Sequence, residues 1–302
     1  MHPLGRFAVA LALVPASPAL ARDQAAQPPA STVERPDGST IHYYLSARPG
    51  ARRRPLLLMF AGSGCDSVAR NERLAWTAER LAPDHDLLTI EKYGVAPGAD
   101  GEICSPGFWR GNTLGQRVVD ALQVIAALRG RSRWNGELVL FGGSEGGAIA
   151  AMAGPLLAET KAVIVWSSGI GQPIGEMIRS VLPPQVQEES ARIFAEARRN
   201  PTGDSQWGGA SYRWWAEAID LVPARSLVQL DAPILLIHGT RDQFAPIASA
   251  RATRALIAAA GRSNLTYREY EDYDHFMIDA AGVDHRAQVI AEAAAWLRRA
   301  RR

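Results

Sequence analysis

One hexapeptide, Gly142-Gly143-Ser144-Glu145-Gly146-Gly147, constrains this chain more than any other segment. The apolar run Leu138-Val139-Leu140-Phe141 precedes it, and the small apolar run Ala148-Ile149-Ala150-Ala151-Met152-Ala153 follows it. That order reads as strand, sharp turn and helix, with the G-x-S-x-G spacing that lifts a serine above the end of a sheet. A side chain on so tight a turn sits in strained backbone, which a working site retains and an ordinary connection rarely does. Gly142 and Gly146 lack the β-carbons that would collide across the turn. The turn also places the Glu145 N–H at the start of a helix, where a developing oxyanion is favoured. A glycine-rich strand–helix connection without chemistry is the alternative, and the flanking elements argue against it.

Strand and helix patterns alternate on both sides of this turn. Strands are expected at 32–35, 40–46, 55–60, 86–92, 137–142, 162–166, 234–238 and 265–270, with a Pro36-Asp37-Gly38 turn joining the first two. Helices are expected near 70–82, 114–128, 145–158, 248–260 and 286–300; in the second, Val118, Leu122, Ile125 and Leu128 share a face at helical spacing. Near-continuous apolar strands alternating with helices imply an α/β fold with a mostly parallel, doubly covered eight-stranded sheet.

Residues 170–231 break the alternation. About 60 residues is too long for a plain connection, and the segment is helix-prone, proline-interrupted and rich in aromatics. It is expected to form a helical cap insertion over the catalytic edge. There Trp207, Trp214 and Trp215 would bind substrate, or would simply hold the cap to the body.

The N-terminus reads as a targeting segment. Positive charge in Met1 to Arg6, an apolar stretch from Phe7 to Val14 and the A-x-A site Ala19-Leu20-Ala21 match a secretory signal peptide over residues 1–21. A Pro/Ala/Gln linker to residue 30 and one domain over 31–302 would follow. No other segment is long and apolar enough to span a bilayer, so the mature chain is expected to be periplasmic or secreted. Two cysteines in an exported chain then suggest one disulfide. Cys65 and Cys104 follow strands whose loops would emerge at the same sheet edge. Closing a loop of about 40 residues would contribute about 4 kcal/mol.

At 302 residues, 47% hydrophobic and 21% charged, the chain can build a sizeable core. A net charge of only +2 gives no basis for nucleic-acid binding. The Arg-rich ending 298–302 reads as a solvated helix C-terminus. No His/Cys cluster has metal-ligand spacing and no G-x-G-x-x-G follows the first strand, so neither a metal nor another cofactor is implied. Glu91-Lys92-Tyr93 and Arg110 either shape a pocket or form an ion-pair network bracing the disulfide loop.

The element order, with the turn after the fifth strand, resembles the α/β-hydrolase superfamily over nearly all of 31–302. The Ser-Glu-Gly-Gly turn is similar to that of its prolyl-oligopeptidase-like branch. The resemblance implies a triad in the chain order serine, acid, histidine. Ile234-Leu235-Leu236-Ile237-His238-Gly239-Thr240-Arg241-Asp242 looks like the family's acid loop, with Asp242 at the acid position and Asp231 and Asp274 as rivals. Tyr273-Asp274-His275-Phe276 matches the histidine loop. Ala61-Gly62-Ser63-Gly64 stands where the family often has His-Gly-x-Gly, so the Ser63 N–H or a neighbour would complete an oxyanion hole with that of Glu145. In such a site His275 takes the Ser144 proton and returns it to the leaving group, while Asp242 orients the imidazole. His238 is expected to support the acid loop, and His285 to sit at a helix start.

The expectation is a serine hydrolase, most simply a carboxylesterase acting on a small ester or amide through an acyl-enzyme. A serine peptidase of aminopeptidase or prolyl-oligopeptidase-like type is the alternative, holding a free amino terminus with a cap carboxylate such as Glu176, Glu188, Glu189 or Glu196. Acyl transfer and an idle binding protein are further alternatives. The sequence leaves the oligomeric state open.

Overall fold

Apolar residues at period two build the sheet and decide which face each side chain enters. The structure, a computed structural model, describes residues 29–50, 52–131 and 133–301; the expected signal peptide and most of the linker lie outside them. The strands are β1 (Ser31–Glu34), β2 (Thr40–Ser46), β3 (Arg54–Phe60), β4 (Asp86–Ile90), β5 (Trp134–Gly143), β6 (Thr160–Trp166), β7 (Gln206–Trp207), β8 (Ala210–Ser211), β9 (Ile234–Gly239) and β10 (Leu265–Tyr270). Eight of them form one sheet in the order β1-β2-β4-β3-β5-β6-β9-β10, and β7 and β8 make a separate small hairpin. β1–β2 and β2–β4 pair antiparallel and every other neighbour in the large sheet is parallel. This is the doubly covered sheet the alternation implies.

The helices are α1 (Glu72–Leu81), α2 (Pro106–Gly111), α3 (Leu114–Leu128), α4 (Glu145–Ala153), α5 (Ile174–Ser180), α6 (Pro184–Arg199), α7 (Tyr212–Ala218), α8 (Ala224–Leu227), α9 (Ile247–Ala259) and α10 (Arg286–Ala300). Leu56, Leu58, Leu138, Leu140, Val163 and Val165 enter a core shared with α3 and α4. Their alternates Leu57, Met59, Val139, Phe141, Ala162 and Ile164 enter the core under α1 and α10. β5 lies between β3 and β6, so the turn at its end is anchored on both sides. Several expected boundaries shift: α4 stops at Ala153 because Gly154-Pro155 opens a short 3-10 turn, β4 leaves the ladder at Ile90, and β5 and β6 begin earlier, at Trp134 and Thr160.

Residues 170–231 fold as an insertion, but not as a roof. Ile174, Phe194, Tyr212, Trp214, Trp215 and Ile219 belong to the same core as Val118 and Ile125. The insertion therefore packs on the α3/α4 face. Its rings satisfy one another: Trp215 lies 4.8 Å from Phe194 and 5.3 Å from Trp207, and its Nε1–H donates to the Trp207 carbonyl at 2.8 Å.

Candidate active site

The strain expected at the turn is present. Ser144 adopts φ 53° and ψ −129° at the N-cap of α4, in the left-handed region that a non-glycine residue occupies only when its surroundings compel it. Close packing compels it here. A β-carbon on Gly142 would lie 2.0 Å from the Gly146 carbonyl oxygen, and one on Gly146 would lie 2.3 Å from that of Phe60. The Ser144 N–H donates to the Trp166 carbonyl at 3.0 Å, and its own carbonyl accepts from Gly147 N–H at 3.0 Å and Ser168 Oγ at 2.6 Å. Ser168 lies two residues past the end of β6, which brings it to the turn.

The loop after β9 carries Asp242. Asp242 Oδ1 accepts the Phe244 and Ala245 N–H groups at 2.9 and 2.8 Å, and Oδ2 accepts from His275 Nδ1 at 2.8 Å. A carboxylate can only accept, so Nδ1 carries the hydrogen and Nε2 is left as the basic nitrogen. Gly239 lets the acid and histidine loops meet, since a β-carbon there would lie 2.2 Å from the Tyr273 carbonyl oxygen. Neither rival acid reaches His275. Asp274 Oδ1 accepts the Phe276 and Ile278 N–H groups of its own turn, and exposed Asp231 pairs with Arg262. His238 is fully buried, and burial lowers its pKa. His285 stacks on Tyr273 at 4.4 Å and pairs with Asp279.

Ser144 and His275 line one cavity of about 690 Å³, together with Ala61, Gly62 and Ser63. No hydrogen bond among the described residues joins Ser144 Oγ to His275; such contacts commonly tighten only when substrate fills the space. Gly62 runs alongside Ser144, its would-be β-carbon 3.5 Å from Ser144 Cβ. The walls are aromatic: Trp76, Phe141 and Trp166 line the interior, and Phe244 and Phe276 flank His275 with ring centroids 5.2 Å from the imidazole.

Trp207, Trp214 and Trp215 do not line this cavity, which corrects their expected role as substrate-binding residues. Buried Trp214 borders a void of about 20 Å³ that Ser63 and Glu145 also line, and Trp215 is 1% exposed. The cap glutamates Glu176, Glu188, Glu189 and Glu196 are also absent from the cavity lining.

Around the disulfide loop the expected ion-pair network is instead a set of hydrogen bonds that Glu91 and Lys92 make to neutral partners. Cys65 and Cys104 are bonded, with Cα atoms 5.5 Å apart. Buried Glu91 accepts from Ser67 Oγ, the Val68 N–H and Tyr44 OH, and burial raises its pKa. Lys92 Nζ donates to the Gly64 carbonyl at 2.5 Å, and burial, with Arg117 nearby, lowers its pKa to about 8. Arg117, on α3, reaches both Glu145 and the Ala61 carbonyl. Arg110 is exposed on α2 and does not line the cavity.

No protein-family model and no curated protein matches the sequence. Among solved structures, the chain is similar to Est1E from Butyrivibrio proteoclasticus bound to ferulic acid, at a TM-score of 0.63 and 18% identity, covering 87% of this chain and 95% of that one. It is also similar to a puromycin-hydrolyzing peptidase of Mycobacterium tuberculosis, at 0.61 and 17%, covering 91% of this chain and 40% of that one. A third likeness is to 2,6-dihydroxy-pseudo-oxynicotine hydrolase, at 0.60 and 15%, covering 89% and 66%. The fold of this chain is that of the α/β-hydrolases. The solved structures that share it also include the dipeptidyl peptidase 4 of Porphyromonas gingivalis, at a TM-score of 0.60 and 14% identity.

Proposed function

We propose that this chain is an exported serine hydrolase that cleaves a carboxylic ester through an acyl-enzyme on Ser144. The observation that carries the reading is the 2.8 Å bond from His275 Nδ1 to buried Asp242, in a histidine that shares a cavity with a strained serine. His275 Nε2 takes the hydroxyl proton as Ser144 Oγ attacks the ester carbonyl. The N–H groups of Glu145 and of the 62–63 loop face the developing oxyanion. The protonated imidazole then delivers its proton to the leaving alkoxide, and water repeats the sequence to release the acid. Asp242 keeps the ring in the productive tautomer throughout.

An ester with an apolar or aromatic group fits the walls best. Phe244 and Phe276 are 57% and 39% exposed beside His275, apolar surface that a bound substrate would cover. A peptidase acting on a free amino terminus needs a carboxylate in reach. Among the described lining residues the carboxylate is that of Glu72, beside Arg73 and an Arg286 already paired with Asp284. Export is part of the same proposal, supported by the signal-like N-terminus and by the Cys65–Cys104 bridge. The test is a panel of p-nitrophenyl esters against aminoacyl p-nitroanilides. Turnover of the esters with longer or aryl acyl groups preferred supports the reading; turnover of the anilides alone shifts it to the peptidase.

A further inference from the structure

Arg117 joins two pieces of chain that the proposed chemistry needs at a fixed separation. Its side chain is buried, 6% exposed. Nη1 donates to Glu145 Oε1 at 2.6 Å and Nη2 to the Ala61 carbonyl at 2.7 Å. Glu145 opens α4 directly after the nucleophile and carries one candidate oxyanion donor on its backbone. Ala61 opens the loop that carries the other, the Ser63 N–H. The far end of that loop is also tied, by Lys92 Nζ on the Gly64 carbonyl at 2.5 Å.

Peptide units are planar, so a carbonyl held from one side fixes the direction of the N–H in the same unit. With the Ala61 and Gly64 carbonyls both anchored, the Gly62 and Ser63 N–H groups lie in a short span clamped at each end. Arg117 adds what Lys92 cannot, since it ties that span to the helix bearing the other donor. A planar guanidinium with two separate N–H groups suits two acceptors on different segments; a lysine ammonium places its donors on a single nitrogen. The same geometry accounts for glutamate at the position after Ser144, where its carboxylate serves as the α4 anchor rather than as an acid or base for substrate.

We propose that Arg117 is a positioning residue that sets the spacing between the two halves of the oxyanion hole, with Lys92 as the second anchor of the loop. The inference rests on the serine hydrolase reading. It makes a demand that a merely structural arginine does not. Its loss must weaken binding of the tetrahedral, charged state far more than binding of the planar substrate.

The test uses the full chain as wild type, Arg117→Met and Arg117→Lys. Fluorophosphonate titration counts competent Ser144 in each preparation, so that unfolded protein does not pass for slow protein. A p-nitrophenyl ester gives kcat and KM, and a trifluoromethyl ketone, whose serine adduct carries an oxyanion, gives Ki. Removing an oxyanion donor outright costs about 100–1000-fold in kcat, so misplacing one should cost about 10–100-fold. The expected result is that loss in kcat per titrated site, with KM within about threefold and the ketone Ki raised in proportion. Arg117→Lys should fall between wild type and Arg117→Met; it decides the matter if the methionine variant does not fold. Wild-type kcat in the lysine variant, or a fall in kcat with the ketone Ki unmoved, overturns the proposal. A wild-type protein with no adduct at Ser144 overturns the hydrolase reading and this proposal with it. A labelled wild type with unaffected variants overturns this proposal alone.

Discussion

His275 and His238 both approach the same Asp242 oxygen, and only His275 bonds to it. His275 Nδ1 lies 2.8 Å from Oδ2, whereas His238 Nε2 lies 3.4 Å away and donates instead to the Ala245 carbonyl at 2.6 Å. The Ala245 N–H in turn donates to Asp242 Oδ1. His238 thus closes the acid loop around its carboxylate without touching the cavity. His238→Phe should leave the Ala245 carbonyl unpaired in a buried site and lower stability by about 1–3 kcal/mol. It should lower kcat by about tenfold, against several orders of magnitude for His275→Ala. Denaturant melts and ester kinetics on the two variants check this, and a His238→Phe enzyme as dead as His275→Ala would reverse the two roles.

Asp242 and Asp274 separate in the same way. Asp242→Asn should cost about 10⁴-fold in kcat, because the amide can leave His275 in the wrong tautomer. Asp274→Asn keeps a carbonyl oxygen that can accept from Phe276 and Ile278, so kcat should move only a few-fold. Steady-state kinetics on the pair decide which acid serves the imidazole.

Lys92 should give the protein a distinctive alkaline response. Its folded pKa of about 8 lies below the ordinary 10.5. Between those values the unfolded chain holds a proton that the native chain has released, so stability rises with pH across that window. The difference in unfolding free energy between wild type and Lys92→Met should therefore shift toward wild type from pH 8 to pH 10. A flat difference across that range would show that the buried lysine titrates normally.

Trp215→Ala should act on stability and Trp76→Ala on selectivity. Trp215 is buried among Phe194, Trp207 and Trp214, so its loss should cost about 3–5 kcal/mol without reordering the ester series. Trp76 lines the cavity under Arg80, whose guanidinium lies 4.3 Å from its ring. Its removal should change the ranking of acyl groups while fluorophosphonate still labels Ser144. An ester ranking that follows Trp215 and ignores Trp76 would return the insertion to the substrate site.

What the sequence disclosed and what it withheld divide along a physical line. The Ser144 turn was legible because its glycines stand at fixed spacing around the serine, between an apolar strand and a small-residue helix, and the sheet because β3, β5, β6 and β9 each alternate between two cores. Cys65 and Cys104 could be paired because parallel neighbouring strands end at one edge. The 170–231 insertion was legible as an insertion, but its side was not. Helix-prone aromatic segments look alike whether they roof a cavity or pack on α3. Arg117, Lys92 and Ser168 act through contacts with residues 24 to 56 positions away, and no local pattern marks such partners. The Phe244 and Phe276 rims were missed for the related reason that an aromatic in a loop is ordinarily read as packing.

Mass-spectrometric mapping of a fluorophosphonate adduct, on wild type and Ser144→Ala side by side, tests the central claim most directly. The account predicts one adduct, on Ser144, and a Ser144→Ala protein that folds, takes no label and loses ester turnover by several orders of magnitude. An adduct on Ser63, Ser167 or Ser168, or a Ser144→Ala protein that still turns over esters at the wild-type rate, would contradict it.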